Sequence, residues 1–119
     1  MAPDLDVTEY GPAMPGKDSE PSPAHLVVCI DVMEHIEPDC LHYVLTHIQS
    51  LGLGGTFFIV DTVLAQKTLA DGRNAHLIVE DLPWWHEKLG GYFDVLVAQP
   101  IILGQPQRVL IVGIPLSAK

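Results

Sequence analysis

The sequence predicts an α/β fold of about four main strands with a terminal antiparallel hairpin and helices packed on the sheet. Three observations carry that expectation. Two continuous apolar runs, "HLVVCI" at 25–30 and "TFFIV" at 56–60, each run straight into an acid, Asp31 and Asp61. Neither alternates as a strand with one wet face would, so both read as strands covered on both faces, the habit of parallel sheets. Between them, Leu41, Val44, Leu45, Ile48 and Leu51 fall at helical spacing. Near the C-terminus, "YFDVLVAQPIIL" and "QRVLIVGIPL" are strand-like runs parted only by "GQPQ", close enough to pair antiparallel.

Residues 1–24 hold five prolines and few apolar side chains, and are expected to form an extended Pro-rich arm in which only "DVTEY" could pair as a strand. The folded domain is expected over 25–119. After the first strand, Pro38 suits the opening turn of a helix and Asp39 its positive end, so the helix is placed at 38–51, stopping before Gly52. "GLGG" at 52–55 then leads into the second strand. Residues 62–80 show no clean period, and "ADGRN" signals a turn, so this segment reads as a long excursion between layers. "EDLPWWHEKLGG" predicts a short helix with Asp81 as N-cap and Trp85 turned into the core.

A chain of 119 residues fits one domain with one core. A net charge of −9, with only six scattered Lys and Arg, makes nucleic acid an unlikely partner, because phosphate binding rests on clustered cations. No apolar stretch is long enough to span a bilayer and no signal core opens the chain, so a soluble, cytoplasmic protein without a membrane partner is expected. Cys29 and Cys40 lack zinc or redox spacing and are expected to be buried, reduced thiols.

The order strand, helix, strand, excursion, helix, strand, strand, with "LVVCIDVMEHIEPD" closing the first strand, resembles the C-terminal half of a class I S-adenosylmethionine-dependent methyltransferase. In that family the fourth strand is commonly followed by D-x-L-E-H-I, and the last strand is inserted antiparallel. The resemblance runs over residues 7–116 and implies a partial, Rossmann-like methyltransferase sheet. It also marks what is missing: the first strand and its G-x-G-x-G loop would precede residue 1, and no such motif occurs here. "GLGG" follows a helix and opens a strand, the reverse of a cofactor loop.

Ligands of open α/β sheets bind beyond the carboxyl ends of the strands, where Asp31, Glu34, His35 and Asp61 fall. By resemblance, Asp31 and Val32 lie beside the cofactor, S-adenosylmethionine, and Glu9 is a candidate for its ribose. Glu34 and His35 lie nearer the methyl acceptor as the catalytic pair, His35 being the candidate base. Arg73, Asn74 and His76 are the expected substrate-side residues. For each the plainer alternative is structural: a polar lid over the helix start for Glu34 and His35, a tight turn for "DGRN". The Asp-x-x-Glu-His element with a later histidine is also similar to one with which metal-dependent small-RNA 2′-O-methyltransferases hold a divalent ion. The surrounding signature and the acidic charge differ, and the expectation is that no metal is held.

A half-fold of this kind leaves "HLVVCI" at the edge of its sheet, an aggregation hazard unless paired or covered. A homodimer through edge strand 25–30 would pair it, and a separate chain supplying the missing half is the next expectation. Two readings of function therefore stand: a methyltransferase-like protein whose cofactor site is completed by dimerisation or a partner, and a non-catalytic binding or assembly module derived from one.

Overall fold

The computed structural model describes residues 23–102 and 105–116. Most of the proline-rich arm, including Glu9 and "DVTEY", lies outside these residues. The chain forms β1 (Ala24–Ile30), α1 (Leu41–Leu51), β2 (Gly52–Asp61), α2 (Leu82–Gly90), β3 (Phe93–Ile102) and β4 (Gln105–Pro115), with single 3₁₀ turns at Met33–His35 and Pro38–Cys40. The sheet order is β1-β2-β4-β3. β1 and β2 run parallel, and β4 lies antiparallel to both β2 and β3, inserted between them. The order of elements and the terminal hairpin agree with the sequence reading.

Local chemistry explains the boundaries. Asp31 takes a left-handed backbone, φ 57°, which short polar side chains tolerate, and its N–H still donates to the Ile59 carbonyl at 2.8 Å, so the chain turns away at the very end of the strand. Pro38 opens the 3₁₀ turn that leads into α1, which buries Leu41, Leu45 and Ile48. α1 passes into β2 without a loop, and "GLGG" becomes the start of that strand. A Cβ at Gly54 would stand 2.8 Å from the His25 carbonyl oxygen, so the close approach of β1 there requires glycine. Asp81 caps α2 by accepting the Trp84 N–H.

One core fills the space between the helices and a single sheet face. Phe58, Val60, Phe93, Val109 and Ile111 meet Leu41, Leu45 and Ile48 of α1 and Trp85 and Leu89 of α2, with Met33 and Ile78 closing the ends. The Phe58 and Phe93 rings meet edge to face, centroids 5.3 Å apart. Trp85 is fully buried as expected, while Trp84 is partly exposed with the Lys88 ammonium 5.3 Å from its ring centre.

The other sheet face corrects the expectation of strands covered on both sides. Leu26, Val28 and Ile30 of β1 are 55%, 52% and 49% exposed, and Leu96, Ile101 and Ile114 are open as well. Both helices pack on the same face, and among the described residues nothing lies over the opposite one. An unbroken apolar run shows that both faces of a strand are apolar; it does not supply the layer that covers them. The two edges also differ. β3 carries Pro100, which suits a strand edge, whereas β1 has no proline or charge along its length.

Cys40 is exposed rather than buried, at the turn before α1, and both thiols are free. Burial pushes the Cys29 thiol up to about 11, so it stays protonated until the pH nears that value. At pH 8, iodoacetamide is expected to alkylate Cys40 at least ~10-fold faster than Cys29, read by peptide mass spectrometry. Equal rates would show that Cys29 is not sheltered by the core. Among the described residues no helix is long and apolar enough to cross a membrane.

Candidate functional site

The carboxyl ends of β1 and β2 and the excursion between β2 and α2 meet around Glu34. This side chain is fully buried. Its Oε2 accepts the Asp61 N–H at 3.2 Å and its main-chain carbonyl accepts the Ile78 N–H at 3.1 Å, which ties strand end and excursion together. Oε1 is buried with no hydrogen-bond partner among the described residues. Burial raises the carboxyl above its ordinary range, against the lowering effect of the backbone N–H groups bonded to it.

Two histidines complete the cluster. His35 Nδ1 lies 3.0 Å from the Ala75 carbonyl, and His76 Nδ1 bonds to the Val63 carbonyl. A carbonyl can only accept, so in both rings Nδ1 carries a proton, and in the neutral ring Nε2 holds the lone pair. The rings stand edge to face, 4.8 Å between centroids at 81°. Ligand-capable atoms of Glu34, His35 and His76 all lie within 4.8 Å of one another.

The excursion is shaped to deliver His76. Asn74 Oδ1 accepts from the N–H groups of Ala65 and His76, and Nδ2 donates to the Ala65 carbonyl, so the Asn74 amide holds the two sides of the loop. Thr68 and Asn74 form an isolated antiparallel bridge, turned by Gly72 at φ 92°. Arg73 forks onto Glu37, with bonds of 2.9 and 2.7 Å, and its Nε donates to Asp71 at 2.8 Å. These hydrogen bonds hold the Glu37 and Asp71 carboxyls below their usual values, for Asp71 chiefly through the Arg73 backbone N–H.

Of the residues expected at the site, Glu34, His35 and His76 therefore converge. Asp31 sits at the same strand end, but its Oδ2 accepts from Arg108 at 2.7 Å, and Val32 is 42% exposed beside it. Arg73 and Asn74 lie in the excursion with their polar groups engaged within the chain. Sequence reasoning missed Arg108 and Glu37. Arg108 stands opposite Asp61 in the register of the long-range β2–β4 pair, which brings it to the strand end beside Asp31.

The fold is a partial, Rossmann-like open α/β sheet. It is similar to a solved structure, the DhpI-SAH complex, with a TM-score of 0.63 and 18% sequence identity over 82% of this chain and 50% of that one. The chain thus spans about half the length of that structure. No family model and no curated protein matches the sequence.

Proposed function

We propose that this chain is a methyltransferase-like protein that carries the acceptor side of an S-adenosylmethionine site, completed by dimerisation or by a second chain. The observation that carries the reading is the convergence of Glu34, His35 and His76 at the carboxyl end of β1, in a fold shared with a protein solved in complex with SAH. In this reading Asp31 and Val32 border the cofactor, with Glu9 toward its ribose. Glu34 and His35 face the acceptor, and Arg73, Asn74 and His76 shape the substrate side. The lone pair on His35 Nε2 would take the acceptor's proton as the methyl group transfers.

The partner in this proposal is a second copy of the chain, joined along β1 to make one continuous sheet. Support comes from the edge of β1, which among the described residues is unpaired and uncharged, and from the exposed apolar side chains beside it. A non-catalytic assembly module is the second reading, favoured by the full engagement of Arg73 with Glu37 and Asp71. Calorimetric titration of the chain with S-adenosylmethionine and S-adenosylhomocysteine separates the two. The first reading expects saturable heat and a raised melting temperature; no heat and no thermal shift at millimolar ligand would leave only the second.

A further inference from the structure

We infer that the methyl acceptor taken by this site is a primary amine, held in its ammonium form by Glu34, His35 and His76; this deepens the proposed function and rests on it. A fully buried carboxylate oxygen without a hydrogen bond is costly to leave unmatched. Glu34 Oε1 is in that position among the described residues, with two imidazoles beside it. Both rings are oriented by Nδ1–H bonds to main-chain carbonyls, and among the described residues neither Nε2 is engaged. With the rings neutral, three side chains therefore offer acceptors at one place and none offers a donor. The group that matches them is rich in N–H.

An ammonium answers the number, the charge and the spacing of these acceptors. It brings three N–H bonds to three acceptors, where an alcohol brings one O–H. Burial raises the Glu34 carboxyl above its ordinary range because a bare carboxylate is costly there, and a cation beside it offsets that cost. Charge-assisted bonds of ~2.8 Å that leave one nitrogen at tetrahedral angles end on acceptors about 4.6 Å apart. One ligand-capable atom from each of Glu34, His35 and His76 lies within 4.8 Å of the other two, so the cluster takes such a group with little closing. An anionic acceptor is poorly served by comparison, because both arginines are already bonded, Arg73 to Glu37 and Asp71 and Arg108 to Asp31.

His35 is exposed and His76 half-buried, so the amine approaches from the histidine side. In transfer the nitrogen passes one proton to His35 Nε2, and its freed lone pair bonds to the methyl carbon as that carbon's bond to sulfur breaks. The bonding electrons stay on sulfur, giving S-adenosylhomocysteine, and the proton leaves His35 for water. The other two N–H bonds remain on Glu34 and His76. Each methyl group added removes one N–H, so the product is held less tightly than the substrate.

The test titrates the full, untagged chain with n-butylammonium in the presence of EDTA and without cofactor, followed by the nitrogen chemical shifts of His35 and His76. Saturable shifts of both Nε2 signals at millimolar probe are expected. Butan-1-ol and tetramethylammonium, which has the charge but no N–H, should each bind at least ~10-fold more weakly. The near-isosteric Glu34→Gln keeps an oxygen for the Asp61 N–H but turns an amide donor toward the ammonium, and should weaken binding at least ~10-fold, as should His76→Ala. His86→Ala, an exposed position on α2, should leave it unchanged. Circular dichroism checks that each variant is folded. No saturable shift with n-butylammonium, equal binding of tetramethylammonium or butan-1-ol, or folded Glu34 and His76 variants that bind as tightly as the parent would overturn the inference. Because the probe needs no cofactor, that failure is distinct from a failure to bind S-adenosylmethionine.

Discussion

Replacing Phe58 with alanine is expected to cost ~3–5 kcal/mol of folding free energy. Phe58 is fully buried at the centre of β2, its ring against the edge of Phe93 at 5.3 Å, in the cluster built from both helices. Truncation removes the transfer free energy of the ring and leaves a void that β2, hydrogen-bonded on both sides, cannot collapse to fill. Domains hold only ~5–15 kcal/mol in total, so this one change should bring the chain to the edge of unfolding. Leu96→Ala provides the contrast: Leu96 is 58% exposed and its truncation should cost under ~1 kcal/mol. Urea unfolding followed by circular dichroism measures both, and comparable losses for the two variants would mean that the core does not lie on the helix-covered face.

Val28→Glu is expected to convert a dimer into a monomer at micromolar concentrations while leaving the fold intact. Val28 sits in the middle of β1 and is 52% exposed, so a glutamate there can reach water within one chain. In a two-fold pairing of β1 with β1, the strands run antiparallel and the two copies of the new carboxylate come near one another across the axis. Like charges so placed destabilise a strand pair, and the substitution also puts charge onto the bare apolar face beside it. Sedimentation equilibrium reads the outcome. A parent chain that is monomeric at those concentrations, or a variant that still dimerises, would rule out association through this edge.

Much of the fold was legible because its signals are local. The β-branched run before Asp31, the helical spacing after Pro38, the Asp81 cap and the two strand-like runs either side of "GQPQ" each rest on a few neighbouring residues, and each element formed near its expected place, with β4 starting at Gln105, inside the expected link. The misses depend on distance along the chain. Nothing near Asp31 announces Arg108, 77 residues away, and nothing in "DGRNAH" says that His76 will come back to Glu34 and His35. The position of Arg73 in a turn was readable; its grip on Glu37, 36 residues earlier, was not. Exposure misled for a different reason. Cys40 and the outer side chains of β1 are apolar by type, and only the three-dimensional arrangement shows that no layer of the described chain reaches them.

The place of β4 governs the order in which this molecule can assemble. The last strand of the sheet to be synthesised is the one that sits between β2 and β3, and within the sheet β3 pairs with no other strand. A nascent chain can therefore close β1 on β2 through α1 early, but β3 must wait at the sheet's margin until residues 105–115 leave the ribosome. Pairing between β2 and β4 joins segments about fifty positions apart, from Thr56 with Gly113 to Asp61 with Arg108, and such distant closure is slow compared with helix or hairpin formation. During that interval the margin of β2 away from β1 stays open to whatever strand arrives. The chain's own final segment must win that competition for the native sheet to form.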